Sequence, residues 1–234
     1  MTDSQDLVLL PGLLCTQALW QHQTRELTDQ VRCHIPDLTL DDSIAAMAAR
    51  VLAEAPPRFA LAGLSMGGYV ALEIVFIAPE RVERLALFDT RASLDSRIER
   101  VRRRGLLDLA QKGKFKGVTP RLLPQLIHQS RLVEEAVAGE VLRMADGVGK
   151  KAFIRQQTAI LGRRDQVPHL SAITCPTLIL CGREDVLTPP LFHEEMADLI
   201  PRSELHVLED CGHLSSLECP DAVTALMQAW LKRT

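Results

Sequence analysis

Residues 61–68 read LAGLSMGG, and this stretch decides the fold because an apolar run leads into a glycine and a serine and then into a helical pattern. Gly63 and Gly67 stand two residues before and two residues after Ser65, which completes a G-x-S-x-G pattern. A sharp turn from strand to helix brings the backbone close to its neighbours, so both flanking positions require small residues. The pattern predicts that the Ser65 hydroxyl is exposed above a sheet and is the reactive group.

The sequence on both sides of this turn supports the prediction. Glycine and serine are common residues, so the pentad alone is also typical of ordinary turns. Residues 58–62 indicate a short buried strand, and residues 68–77 are apolar on nearly all sides, as in a helix packed against a parallel sheet. The turn therefore joins a strand to a helix, which is the context expected for a nucleophilic serine.

A nucleophilic serine needs a base and a group that orients the base, and the chain offers both downstream. Asp185 follows the apolar run 176–182, at what should be the carboxyl end of a strand. His213 lies beside a glycine in the loop 209–214, after the next strand-like run. We predict that His213 is the general base and that Asp185 is the acid that orients its ring.

Other residues compete for these roles. Glu184 is adjacent to Asp185, and Asp89 ends an earlier strand, so both are rival acids. Asp185 is also a candidate cap for the helix expected near Pro189, although Thr188 is the better candidate for that cap. The remaining histidines, which we interpret as surface or structural residues, are His22, His34, His128, His169, His193 and His206.

These motifs resemble those of the α/β-hydrolase superfamily, in particular its small members with a single cap. The resemblance is carried by L-P-G through tryptophan at 10–20, the serine turn at 63–68, G-R-E-D-V-L-T-P at 182–189 and G-H-L at 212–214, and so covers nearly the whole chain. It implies an α/β fold in which helices flank a mostly parallel sheet of about six strands and a helical cap is inserted. It also implies a reaction without a metal or an organic cofactor.

The resemblance implies an oxyanion hole made of two backbone N–H groups, those of Met66 and Leu13. Pro11 stands where family members commonly have histidine, which alters the loop more than the identity of a main-chain donor. Two further departures concern the sheet and its loops. The strand expected at 7–10 lacks the antiparallel pair that usually precedes it, and residues 39–42 replace a glycine-rich loop.

The pattern changes between residues 91 and 171, where strand signals vanish and helical stretches rich in Arg, Leu and Ala take over. We therefore predict a hydrolase core formed by residues 1–90 and 172–234, with residues 91–171 as an inserted helical cap. Because the insertion follows the strand that ends at Asp89, the cap should lie over the carboxyl ends of the strands, where open α/β folds bind ligands.

Basic residues are concentrated at the start of the predicted cap. They either attract an anionic substrate, such as the acyl thioester of a carrier, or form a solvated helix face that neighbouring acidic residues dilute. Aromatic residues make up only 4% of the chain, which favours an aliphatic pocket. The basic residues are Arg97, Arg100, Arg102, Arg103, Arg104, Lys112, Lys114 and Lys116.

Composition argues against several classes of protein. The formal charge of −3 gives no electrostatic reason to expect nucleic-acid binding, and no apolar stretch approaches the roughly 18 residues of a membrane span. Residues 1–6 lack the basic stretch of a signal peptide, so we expect a cytoplasmic protein. The six cysteines form no C-x-x-C motif, which favours free thiols over a metal site. The sequence does not indicate an oligomeric state.

Taken together, these features predict a serine hydrolase that cleaves carboxylic esters of small, mainly aliphatic substrates through an acyl-enzyme intermediate. The expected partner is a small-molecule ester or thioester. The resemblance also admits a thioesterase, a lactonase or a C–C bond hydrolase that uses the same three residues. A ligand-binding sensor with vestigial hydrolysis is the alternative from another class.

Overall fold

The computed structural model describes residues 5–233, and within this range six parallel strands form one sheet. The order across the sheet is β2-β1-β3-β4-β5-β6, and every neighbouring pair is parallel. This confirms the predicted α/β class and the mostly parallel sheet of about six strands. The strands are β1 (Gln5–Leu10), β2 (Val31–His34), β3 (Phe59–Leu64), β4 (Val82–Phe88), β5 (Thr177–Gly182) and β6 (Ser203–Leu208).

Helices connect the strands and cover both faces of the sheet, as parallel connections require. Strand β3 runs directly into α3, while α8 is the last helix of the described residues. The helices are α1 (Gln21–Glu26), α2 (Ile44–Glu54), α3 (Met66–Ile77), α4 (Arg97–Gln111), α5 (Glu140–Gly162), α6 (Pro190–Leu199), α7 (Ser215–Glu218) and α8 (Pro220–Leu231).

The core consists of two apolar layers, one on each face of the sheet. Side chains alternate between the faces along a strand, so Val8 packs with α2 and α3 while Leu9 packs against the other layer, which contains Trp20 and Trp230. Strands β3 and β5 are buried at every residue. Burial on both faces explains why these strands have continuous apolar sequences rather than an alternating pattern.

Residues 91–171 lie between β4 and β5 and contain α4, α5 and short turns of other helical types, with no strand in this fully described segment. A capping box begins α4, in which Ser96 and Glu99 satisfy each other's backbone N–H groups. Helix α5 is kinked at Gly149, whose φ of 72° interrupts the helical backbone. We call residues 91–171 the inserted segment; its role as a cap stays a prediction.

The inserted segment is tied to the carboxyl end of the sheet by hydrogen bonds. The amide side chain of Gln156 accepts from the Leu14 N–H at 3.2 Å, in the loop after β1. The carbonyl oxygen of Leu126 accepts from the His213 N–H at 3.1 Å, in the loop after β6. These contacts place the inserted segment beside the ends of β1 and β6.

Candidate active site

Ser65 occupies a strained turn between β3 and α3. Its φ of 55° and ψ of −114° lie outside the regions that L-residues usually adopt. The turn is tight: a Cβ on Gly63 would lie 2.3 Å from the Gly67 carbonyl oxygen, and a Cβ on Gly67 would lie 2.1 Å from the Leu10 carbonyl oxygen. Only glycine fits at both positions, which is the physical reason for the G-x-S-x-G pattern. Helix α3 is thereby held close under the end of β1.

The hydroxyl of Ser65 lies against the ring of His213. The distance from Ser65 Oγ to His213 Nε2 is 2.8 Å, and the distance from His213 Nδ1 to Asp185 Oδ2 is also 2.8 Å. A carboxylate only accepts hydrogen bonds, so Nδ1–H donates to Asp185 and Nε2 is left to accept from Ser65. The structure thus joins the three residues in one hydrogen-bonded chain, although they are far apart in sequence.

The Asp185 carboxylate is buried, with 2% of the residue exposed. Its Oδ1 accepts from the backbone N–H groups of Leu187 and Thr188, both at 2.9 Å, and its Oδ2 accepts from the Thr188 hydroxyl at 2.7 Å. Burial opposes ionisation, but the interactions with His213 and Thr188 outweigh it and lower the pKa of Asp185. The carboxylate is therefore held charged and in a fixed orientation.

The ring of His213 is also buried, with 4% of the residue exposed. Burial alone would lower the pKa of His213, but the charge and hydrogen bond of Asp185 outweigh burial and raise that pKa above its ordinary value of 6.5. The positive form of the ring is thus stabilised in place. This is the electrostatic requirement for a base that must carry a proton briefly.

Neither rival acid forms a hydrogen bond with His213. Glu184 is exposed and accepts from the Cys211 N–H at 3.0 Å. Asp89 is fully buried, and its carboxylate accepts from the Gly182 N–H and from Ser215. Burial, followed by the nearby Asp185 charge, raises the pKa of Asp89 well above its usual range. Asp89 therefore links the end of β5 to the segment after His213 instead of orienting the ring.

Glu218 holds the loop that carries His213, and sequence reasoning missed it. Its carboxylate accepts from the Gly212 N–H at 3.1 Å, the Leu214 N–H at 3.0 Å and the His128 N–H at 2.6 Å. Glu218 is 1% exposed. Nothing in its local sequence separates it from a surface glutamate, because its three donors come from the loop before it and from the distant inserted segment.

Thr188 differs from its expected role. The sequence favoured it as the cap of the helix near Pro189, but the residue before α6 is Pro189 itself, with no side-chain cap. The Thr188 hydroxyl instead donates to Asp185 and lies 3.3 Å from His213 Nδ1. The Thr188 hydroxyl is bonded to the Asp185 carboxylate and does not cap α6.

The two predicted oxyanion donors flank Ser65. Met66 begins α3 directly after Ser65, and a Cβ on Gly12, next to Leu13, would lie 3.4 Å from Ser65 Cβ. The Leu14 N–H is bonded to Gln156, whereas those of Leu13 and Met66 donate to no group among residues 5–233. Both N–H groups therefore lack an acceptor within the described part of the chain, and their role as oxyanion donors stays a prediction.

A cavity of about 460 Å³ opens onto this hydrogen-bonded chain. Ser65, His213 and Leu13 lie in its wall together with the side chains of the inserted segment. Its lining combines aliphatic side chains with polar and charged ones, and Tyr69, Phe115 and Phe153 are its aromatic members. Cys15 is a thiol in the same wall, but burial raises its pKa to about 12, so it stays protonated near neutral pH.

The other histidines contribute nothing to this chain of hydrogen bonds. His193 is fully buried, and its Nε2 accepts from the Thr90 N–H at 2.9 Å, which is a structural contact. No group of three or more metal-ligating side chains occurs within residues 5–233. In the same range, no helix has the length and apolarity needed to span a membrane.

Comparisons with known proteins agree with this geometry. Residues 7–226 match the sequence model of the alpha/beta hydrolase family. Over 96% of the chain and 94% of the relative, the sequence is 26% identical to a pimeloyl-[acyl-carrier protein] methyl ester esterase from Nitrosomonas europaea. It is also 29% identical to a putative carbamate hydrolase RutD from Serratia proteamaculans. That match covers 74% of this chain and 65% of the relative.

Among solved structures, a thermophilic esterase from Thermogutta terrifontis superposes with a TM-score of 0.87 at 28% identity, covering 97% of this chain and 89% of that one. An enol-lactonase from Burkholderia xenovorans LB400 superposes with a TM-score of 0.88 at 23% identity, covering 99% of this chain and 92% of that one, and shows the shared fold alone.

Proposed function

This chain belongs to the alpha/beta hydrolase family, and on that premise we propose that it is a serine hydrolase that cleaves carboxylic esters of small, mainly aliphatic substrates. The observation that carries the proposal is the hydrogen-bonded chain from Ser65 through His213 to Asp185, with both links at 2.8 Å. This arrangement activates a hydroxyl for attack on a carbonyl carbon.

The reaction proceeds in two halves. As Ser65 Oγ bonds to the carbonyl carbon, its proton moves to His213 Nε2, and Asp185 stabilises the positive ring. Collapse of the tetrahedral intermediate breaks the bond to the alcohol, which leaves with the proton from His213. A water molecule, activated by the same ring, then attacks the acyl-enzyme and releases the acid and the free serine.

The negative charge that develops on the carbonyl oxygen needs donors that are already in place. In this proposal the backbone N–H groups of Leu13 and Met66 stabilise it. Removing one such donor in comparable sites reduces the rate by roughly 10²–10³-fold. The strained backbone of Ser65 serves this step, because it directs the hydroxyl toward the cavity while α3 begins at the next residue.

Ester hydrolysis is favoured over the alternatives by the character of the cavity and by two relatives. The cavity beside Ser65 has many aliphatic side chains in its wall, and two similar proteins are described as a methyl ester esterase and an esterase. Thioester, lactone and C–C bond cleavage use the same three residues, so the activity panel must include these substrates. A ligand-binding sensor is the alternative outside enzyme catalysis.

Labelling and turnover test the proposal together. The wild-type protein should react with a fluorophosphonate at Ser65 and release p-nitrophenol from short acyl esters. Ser65→Ala should abolish both, whereas Ser171→Ala, a matched change at an exposed serine, should leave both unchanged. Undiminished turnover in Ser65→Ala would reject the assignment. Ligand-dependent stabilisation with negligible hydrolysis would identify a sensor instead.

A further inference from the structure

We propose that the natural ester carries a second, negatively charged group, and that Arg102, Lys114 and Lys116 of the cavity wall bind that group. This inference deepens the proposed function and rests on it. It concerns the same cavity that holds Ser65, and it assigns a role to the basic run at the start of the inserted segment.

The charges that line the cavity are unbalanced. Among the described residues, its wall contains five cationic side chains of arginine and lysine and one carboxylate, that of Glu99. The protein as a whole has the opposite balance, with a formal charge of −3. The cavity is therefore positive although the chain is acidic overall. The cationic members are Arg91, Arg102, Arg103, Lys114 and Lys116.

Two of the five cations have carboxylate partners within the protein. Arg91 lies 2.6 Å from Asp95 and 2.9 Å from Glu99. Arg103 lies 2.5 Å from Asp95, which also pairs with Arg163. These ion pairs bind α4 to the rest of the inserted segment, and they include Glu99, the one carboxylate of the wall among the described residues. Their role is structural.

The other three cations lack a carboxylate partner among residues 5–233. Arg102 donates to the amide oxygen of Gln125, a neutral group that also lines the cavity. The side-chain amines of Lys114 and Lys116 form no hydrogen bond or ion pair with any group among residues 5–233, and both residues are exposed. Three positive charges without a carboxylate partner thus line the cavity that also contains Ser65.

The rest of the wall specifies what accompanies the charge. Leu106, Leu109, Phe115, Met144 and Phe153 line the same cavity. A substrate that fits both features has an aliphatic portion and an anionic end, as in the half-ester of a dicarboxylic acid or an ester with a terminal phosphate. A carboxylate or a phosphate gains charge-assisted hydrogen bonds from guanidinium and ammonium groups, which a neutral ester cannot.

The competing interpretation of these residues is a solvated helix face with no ligand. The two interpretations differ in a measurable way, because only a binding role couples these charges to substrate charge. Arg97, Arg104 and Lys112 provide the matched control: they lie on or directly after the same helix and are exposed, but they do not line the cavity. Replacing either trio removes the same charge from the same region.

The test compares p-nitrophenyl esters of equal chain length that end in a methyl group, a carboxylate or a phosphate. In the wild-type protein we expect a higher kcat/KM for a charged ester than for the neutral one. In the triple variant Arg102→Gln/Lys114→Gln/Lys116→Gln, the ratio of kcat/KM for the charged ester to kcat/KM for the neutral ester should fall about tenfold, since each exposed charge pair contributes a few-fold. Ionic strength of about 1 M, where the Debye length is about 3 Å, should reduce the preference in the wild type.

Each outcome decides one question. Failure to hydrolyse any of the three esters would overturn the proposed function itself. Hydrolysis of all three with the same charge preference in wild type and triple variant would overturn this inference alone. An equal loss in the control Arg97→Gln/Arg104→Gln/Lys112→Gln would reveal a general charge effect and also overturn it. A stronger effect for phosphate than for carboxylate would support it and indicate a phosphorylated substrate; the reverse would support it and indicate a dicarboxylic half-ester.

Discussion

Oδ2 of Asp185 lies 2.8 Å from Nδ1 of His213, and both side chains are buried. The neighbouring carboxylate of Glu184 is exposed and bonds to a backbone N–H instead. Two adjacent acids in one loop therefore have different surroundings, and the difference can be read from kinetics.

We predict that Asp185→Asn reduces kcat for ester hydrolysis by about 10⁴-fold, since an amide at this position favours the wrong ring tautomer. Glu184→Gln is the matched change one residue away and should change kcat by less than about threefold, because its carboxylate does not contact the ring. Steady-state kinetics of both variants measure this. A larger loss in Glu184→Gln would show that the acid is Glu184.

The pH dependence of kcat/KM follows from the raised pKa of His213. The base must be neutral, so activity should fall as the pH drops through the pKa of His213, which lies above its ordinary value of 6.5. The Asp185 charge counteracts the effect of burial on that pKa, so in Asp185→Asn the residual activity should persist to lower pH. A pH profile of both proteins checks the sign. A shift of the acid limb to higher pH in Asp185→Asn would contradict this electrostatic account.

Glu218 offers a prediction about positioning. Glu218→Gln replaces an oxygen that faces backbone donors with an NH₂ group, so one or more N–H groups at Gly212, Leu214 or His128 lose their acceptor. Leaving such a buried donor unsatisfied costs about 1–3 kcal/mol. We expect a lower free energy of unfolding, a lower kcat and a nearly unchanged KM, because displacement of His213 impairs proton transfer more than it impairs substrate binding.

The control for Glu218 is Glu209→Gln, an exposed glutamate paired with Arg183. Its free energy of unfolding should change by less than about 0.5 kcal/mol. Denaturant unfolding and steady-state kinetics on both variants provide the comparison. Equal kcat values for Glu218→Gln and the wild type would show that the loop keeps its geometry without this carboxylate.

The parts of this molecule that sequence could predict have local signals. A buried parallel strand needs a continuous apolar run, and the turn at Ser65 needs glycines because a Cβ on Gly63 would lie 2.3 Å from the Gly67 carbonyl oxygen. Gly182 obeys the same rule, since a Cβ there would lie 2.1 Å from the carbonyl oxygens of Cys211 and Gly212. Each of these close approaches requires glycine at one fixed position, and that glycine is visible in the sequence.

The parts that could not be predicted depend on contacts between distant segments. Glu218 bonds to His128, 90 residues away. The separation of cavity cations into paired and unpaired members depends on where Asp95 lies relative to Arg91, Arg103 and Arg163. Neither arrangement corresponds to a characteristic spacing in the sequence, because the loops that bring these residues together have no regular geometry. A basic run in the sequence thus left the choice between substrate binding and a solvated face open.

Glycine substitutions test the packing of the serine turn. Gly67→Ala places a methyl group against the backbone at the end of β1 and should destabilise the fold and reduce kcat by displacing Ser65. Gly105→Ala is the control within α4, where a Cβ meets no atom within 4 Å; it should stabilise the protein by about 0.5–1 kcal/mol, since alanine is the better helix former. Thermal unfolding of both variants measures the opposite signs. Destabilisation by Gly105→Ala would contradict the open surroundings of that residue.

His193 links stability to pH. Burial lowers its pKa from 6.5 to about 4, and its neutral Nε2 accepts from the Thr90 N–H. The folded state therefore binds this proton less readily than the unfolded state, so the contribution is fully present above pH 6.5 and is lost as the pH falls toward 4. At about 1.4 kcal/mol for each pKa unit, the loss should be about 3 kcal/mol.

His193→Gln keeps an acceptor for the Thr90 N–H but does not titrate, so its free energy of unfolding should fall less steeply between pH 6.5 and 4. Denaturant unfolding at several pH values, with His206→Gln at a partly exposed histidine as control, isolates the effect. Parallel curves for wild type and His193→Gln would show that His193 is not the group responsible.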